Sequence, residues 1–156
     1  MVHDKAMRLV TALKEKNLTI TAAESCTGGR IAAAITSVPG SSKIFPGSLV
    51  SYRDDVKHRM LFVPESLLED SGAVSEPVAW AMARGAARMF ETDVAIAVTG
   101  IAGPETDGEH PVGTVYLGLY AQGETVVEHH LFEGSREEIQ MQATRRALEM
   151  ALENMD

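Results

Sequence analysis

The sequence predicts an α/β layered fold built on a mixed sheet. Three observations predict it. Short apolar runs at Leu18 to Ala23 and Val94 to Val98 alternate with helix-patterned segments, an order that places helices over a sheet. The segments Gly113 to Tyr120 and Thr125 to Phe132 flank Gln122-Gly123 and read as an antiparallel hairpin. Polar, glycine-containing turns follow both apolar runs, where sheets of this kind gather ligands.

The elements follow in order. Ala6, Leu9, Val10 and Leu13 recur at helical spacing within Asp4 to Lys16, with Asp4 as a candidate cap. Leu18 to Ala23 is apolar and partly β-branched, which fits a buried strand. After Glu24 to Gly29, Arg30 to Thr36 is helical. Val38 to Gly47 holds Pro39, Gly40 and Pro46 and reads as loop. Ser48 to Tyr52 is a strand, and Arg53 to Phe62 and Pro64 to Asp70 are short helices. Ser75 caps a longer helix that carries Pro77 in its first turn and runs to about Glu91. Val94 to Val98 suits a central strand covered on both faces. Ser135 and Glu138 form a capping box for the last helix, with Ile139, Ala143, Ala147, Met150 and Ala151 on one side.

The 156 residues fit a single domain over residues 1–156 that can bury a core without disulfides. A net charge of -8 argues against a nucleic-acid surface. It leaves room for a small anionic ligand held by backbone amides. One cysteine, Cys26, fits a reducing compartment, and no stretch has the length of a membrane span. A cytoplasmic protein is expected. The five histidines show no metal-ligand spacing, and no nucleotide fingerprint occurs, so neither metal nor cofactor is expected.

Three constellations can carry chemistry. The first is Glu24-Ser25-Cys26-Thr27-Gly28-Gly29. A serine at a strand-to-helix turn sits near the positive end of a helix dipole, where free amides can stabilise an oxyanion. On this motif alone, helix capping by Ser25 or Thr27 is the commoner reading. Cys26 is a rival nucleophile, though buried cysteines are frequent and no histidine lies near it in sequence. The second is Tyr52 with Lys57: a buried lysine with a depressed pKa can take a serine's proton, and Tyr52 can orient it. An isolated lysine is more often solvated. The third is Thr99-Gly100-Ile101-Ala102-Gly103-Pro104, whose glycines permit close approach to a ligand or simply turn the chain.

Together with Pro39-Gly40-Ser41-Ser42, Gly72 to Pro77 and Pro111 to Val115, these segments resemble the CinA C-terminal-domain family, known as nicotinamide-mononucleotide amidohydrolases. The matching stretches occur in family order over nearly the whole chain. The resemblance implies a three-layer α/β/α sandwich with a mixed, mostly parallel sheet. It implies hydrolysis of the carboxamide of nicotinamide mononucleotide to nicotinic acid mononucleotide and ammonia. Ser25 would be the nucleophile and Lys57 its base, with Tyr52 and Thr99 supporting. Thr27, Gly28, Gly29, Ser41, Ser42, Gly100, Ala102 and Gly103 are the candidate substrate-binding residues. The expected partner is a small pyridine nucleotide, with a homodimer as the default assembly.

One departure stands out. Many active members carry an arginine pair early in the last helix, where this chain has Gln140 and Met141. Arg145 and Arg146 lie a turn or more later, about 5 Å along the axis. The alternative expectation is therefore a nucleotide-binding module of the same fold with altered specificity or no turnover.

Overall fold

Ala6, Leu9, Val10 and Leu13 form the buried stripe of the first helix, α1 (Val2–Lys16). Met1 occupies the cap position, and Asp4 lies within the first turn instead. The computed structural model describes residues 1–155. After α1 come β1 (Ile20–Glu24), α2 (Arg30–Thr36), a short 3-10 turn (Ser41–Lys43), β2 (Leu49–Val50), α3 (Asp54–Leu61) and α4 (Glu65–Ser71). The second half holds α5 (Glu76–Phe90), β3 (Val94–Gly100), β4 (Thr114–Ala121), β5 (Glu124–Leu131) and α6 (Arg136–Glu153). The side chain of Ser75 accepts from the Val78 amide at the start of α5, and Ser135 with Glu138 closes a capping box on α6.

The strand order is β2-β1-β3-β4-β5. β1 runs parallel to β2 and β3, and β4 runs antiparallel to β3 and β5. The sheet is mixed, as predicted. Its balance is not mostly parallel, because the antiparallel ladders span the whole of β3, β4 and β5 while β2 is only 2 residues long.

Side chains alternate across this sheet, and the alternation sorts them by size. Ile20 and Ala22 of β1, Val94, Ile96 and Val98 of β3, and Val115, Leu117 and Leu119 of β4 pack with α1, α2 and α6. Ala23, Ala95 and Ala97 face α5 together with Leu61 and Val63. Large residues fill one interface and alanines line the other, so α5 lies close to the strands. A side chain at Gly118 of β4 would come within 2.6 Å of the Ala79 carbonyl of α5. At Gly85 of α5, an added Cβ would collide with the carbonyl of Leu61, the last residue of α3. Gly118 lets α5 approach β4, and Gly85 lets α3 dock directly onto α5.

The turn after β1 is shaped by a carboxylate. Glu24 is fully buried. Its Oε1 accepts from the Thr27 hydroxyl at 2.6 Å and from the amides of Gly29 at 3.1 Å and Ile31 at 3.0 Å. Its Oε2 accepts from the Ala32 amide at 2.9 Å. A negative charge thus meets the orphan amides and the positive end of α2. Gly28 and Gly29 bend the chain through left-handed conformations, with φ of 60° and 103°.

Two substitutions test this packing. Gly85→Ala gains about 1 kcal/mol of helix propensity but must displace the Leu61 backbone. We expect a net loss of about 1 kcal/mol or more in urea denaturation, since overpacking costs roughly 1–3 kcal/mol. Glu24→Gln replaces an all-acceptor group with one that presents an amine to the helix amides. It should lower stability by about 1–3 kcal/mol in the same experiment.

Candidate active site

The turn fixed by Glu24 carries Ser25 at the carboxyl end of β1, and Ser25 is 8% exposed. Cys26 turns into the core shared with α2 and α6. Lys57 approaches Ser25 from α3, on the face of the sheet that α5 covers. Strand alternation explains the split, because successive side chains point to opposite faces.

Lys57 is only 2% exposed and is among the largest fully buried side chains. Its Nζ donates to the Ser51 carbonyl at 2.8 Å and lies 3.3 Å from Ser25 Oγ. Ser51 is itself fixed, its amide and hydroxyl donating to the Glu24 carbonyl at 2.7 and 3.1 Å. Burial pushes the Lys57 pKa below the ordinary lysine value, against an opposing pull from nearby Asp54 and Cys26. A neutral amine at hydrogen-bond reach of a serine hydroxyl is positioned to accept its proton. Burial has the opposite consequence for Cys26, raising its thiol to about 12. That keeps it protonated and unreactive at neutral pH.

The amides around Ser25 are unequally available. Gly28 donates to the Ser25 carbonyl at 3.0 Å, and Gly29 to Glu24. The Thr27 amide has no acceptor among the described residues, and the Cys26 amide contacts only its own thiol. Gly28 and Gly29 therefore shape the loop, and their amides are not free for a ligand. The Thr27 side chain is likewise committed to Glu24, which takes the capping role that the sequence suggested for Ser25 or Thr27.

Other expected site residues lie elsewhere or are occupied. Tyr52 is 57% exposed, and its hydroxyl accepts from Arg136 at 2.6 Å. The positioning of Lys57 that the sequence suggested for Tyr52 falls to the neighbouring Ser51. Thr99 is buried and donates to the Ala73 carbonyl at 2.7 Å, tying the end of β3 to the segment before α5. Ser41 and Ser42 are a correction. Their turn is pinned to the start of β1, where the Ile20 amide donates to Ile44 at 2.8 Å. Because α2 carries the chain back along β1, they sit at the opposite end of β1 from Ser25, a strand length of about 16 Å. Gly100 is half-buried at the end of the β3–β4 ladder, and Ala102 is buried in the core and offers no ligand surface. Gly103 does reach the site's edge, its carbonyl accepting from Arg136.

Arg136 and Gln140 were not marked as contributors by the sequence. Arg136, the first residue of α6, bridges Tyr52 and the Gly103 loop. Gln140 is buried, and its Nε2 donates to the Cys26 carbonyl at 3.0 Å. Met141 points outward. Arg146 is held by Glu128 and Glu153, with contacts of 2.8 to 3.0 Å, and does not replace the missing arginines. The signal for Arg136 was its place in the first turn of a helix that follows the hairpin. A groove of about 530 Å³ lies along α3 and α4 beside Asp54, His58, Glu65 and Leu68. The lining of that groove includes neither Ser25 nor Lys57, so size alone does not mark the chemistry.

Comparison with known proteins identifies the family and the fold. The CinA C-terminal domain model matches residues 3–155. A CinA-like protein of Dictyoglomus turgidum is 46% identical over 143 residues, covering 91% of this chain and 35% of the relative. A CinA-like protein of Citrifermentans bemidjiense is 51% identical over 133 residues, covering 85% of this chain and 32% of the relative. The chain thus spans about a third of the length of these curated relatives. The crystal structure of a competence or damage-inducible protein from Enterobacter asburiae superposes with a TM-score of 0.97 at 31% identity, covering 100% and 99% of the two chains. A competence/damage inducible protein from Agrobacterium tumefaciens gives 0.93 at 39% identity, covering 98% and 96%. With its model matched from end to end of the fold and its architecture shared by these solved structures, the chain belongs to the CinA C-terminal domain family.

Proposed function

We propose that this chain hydrolyses the carboxamide of nicotinamide mononucleotide, or of a close pyridine nucleotide, and releases ammonia. The observation that carries this reading is the buried Lys57 amine 3.3 Å from the Ser25 hydroxyl. Neutral Lys57 takes the hydroxyl proton as Ser25 Oγ bonds to the amide carbon. The carbonyl oxygen becomes an oxyanion facing the Cys26 and Thr27 amides. Protonated Lys57 returns the proton to the leaving nitrogen, and ammonia departs. Water then attacks the ester on Ser25, with Lys57 again the base, and releases the carboxylate. Family membership supports the substrate class, and the steps need no cofactor.

A second reading rests on Gln140, Met141 and the engagement of Arg146 with Glu128 and Glu153. With fewer free cations for a phosphate, the site would bind a nucleotide and not turn it over. Nucleotide-induced thermal stabilisation without product would favour it.

Ammonia release on adding nicotinamide mononucleotide tests the primary reading. Ser25→Ala and Lys57→Ala should each lower it by on the order of 10⁴-fold or more. No release from any pyridine nucleotide by well-folded protein would refute it. The pH profile follows from the direction of the Lys57 shift. The base must be neutral, so kcat/KM should rise through a midpoint below the ordinary lysine value of 10.5 and fall at lower pH. Stability carries the same sign. A lysine with a depressed folded pKa binds its proton more tightly in the unfolded chain. The contribution of Lys57 should therefore rise with pH between its folded value and 10.5. Comparison with Lys57→Met by urea denaturation isolates it, and a pH-independent difference would contradict the assignment.

A further inference from the structure

Gln140 is the buried polar residue that the proposed steps leave unused. It stands in the second turn of α6, 7% exposed, and donates its only described side-chain hydrogen bond across the fold to the Cys26 carbonyl. That carbonyl belongs to the peptide unit whose N–H is Thr27's. A trans peptide is planar, with C=O and N–H pointing in opposite directions. α6 packs on one face of the sheet, and Lys57 reaches Ser25 from the other. Drawing the carbonyl toward α6 therefore turns the Thr27 N–H away from α6 and toward the side where Ser25 and Lys57 meet. Glu24 holds the Thr27 hydroxyl at 2.6 Å, which fixes the other end of the residue.

We propose that Gln140 is a positioning residue, which orients the Cys26–Thr27 peptide so that the Thr27 N–H joins the Cys26 N–H in an oxyanion hole. The inference rests on the Ser25–Lys57 reading but not on the identity of the substrate. The amide following a nucleophilic serine is a common oxyanion donor, and Cys26 supplies it. Thr27 is the second, because the next amides in line are spent on the Ser25 carbonyl and on Glu24. Without Gln140 the Cys26 carbonyl would lose a buried donor and the peptide would be free to rotate. The change would appear in the chemical step and leave ligand binding largely intact, because an oxyanion exists only after attack.

A fluorophosphonate probe reads this hole without any nucleotide. The Ser25 Oγ–phosphorus bond forms, the phosphorus–fluorine bond breaks, fluoride leaves, and the serine proton passes to Lys57. Labelling is measured by intact mass as a maximal rate and a probe affinity, across pH, with folding followed by thermal melting. Gln140→Leu and the isosteric Gln140→Glu, which when ionised cannot donate, should each slow the maximal rate by about 10-fold or more. Probe affinity should hold in both, the pH midpoint should hold in the uncharged Gln140→Leu, and Gln140→Arg, which keeps an N–H donor, should recover most of the rate. If Gln140→Leu does not fold, Gln140→Glu carries the test. A folded variant that labels at the wild-type rate overturns the proposal. So does a loss confined to affinity, a pH midpoint shifted by Gln140→Leu, or wild-type protein that resists the probe. Gln140-dependent labelling of a protein inert toward pyridine nucleotides would sustain this inference and refute the substrate assignment.

Discussion

The arrangement depends on keeping the Lys57 amine dry. A charged ammonium is costly to bury, and the cost falls on the protonated form. The fold meets it by supplying the Ser51 carbonyl at 2.8 Å and leaving the Ser25 hydroxyl as the other neighbour. An amine held that way is a base directed at one particular oxygen. Water around Nζ would restore the ordinary lysine pKa and remove the driving force for proton transfer. Burial of a single nitrogen therefore links the packing of α3 to the chemistry at the end of β1.

The rest of the structure can be understood as what places that nitrogen. Alanines on the α5 face of β1 and β3, with Gly85 and Gly118, bring α5 and then α3 near the strands. The large side chains on the opposite face leave α6 to support the loop through Gln140. Between them Glu24 secures the turn from within, accepting four hydrogen bonds from the Thr27 hydroxyl and three backbone amides. The Ser25 loop is thus gripped from β1, from α3 and from α6, and a catalytic group gains precision from such support.

Much of this was legible in the sequence, and the misses share a cause. Periodicity located the helices, and the apolar runs located β1 and β3, because burial imposes those patterns directly. The hairpin turn at Gln122-Gly123 was readable because Gly123 takes a positive φ, which favours glycine. The pairing of Ser25 with Lys57 was not readable from spacing: 32 positions separate them, and only the docking of α3 on α5 joins them. Family resemblance supplied that pair. Ser41 and Ser42 misled because neighbouring motifs in a chain can lie at opposite ends of a strand, and α2 reverses the direction. Glu24 went unassigned because an acid after an apolar strand has no periodic signature. Its role emerges only when the helix amides converge on it. Ser51 took the part expected of Tyr52 because it acts through its backbone carbonyl, which no side-chain pattern in the sequence announces.

The central claim is that burial lowers the Lys57 pKa below the ordinary lysine value and that its amine faces Ser25. Direct titration of the Lys57 side chain by NMR, following its Cε carbon in selectively labelled protein, addresses that claim without assuming any substrate. The account predicts a midpoint clearly below 10.5 and a further change on Ser25→Ala, since the hydroxyl is a direct neighbour of Nζ. A midpoint at the ordinary lysine value, unmoved by Ser25→Ala, would contradict it.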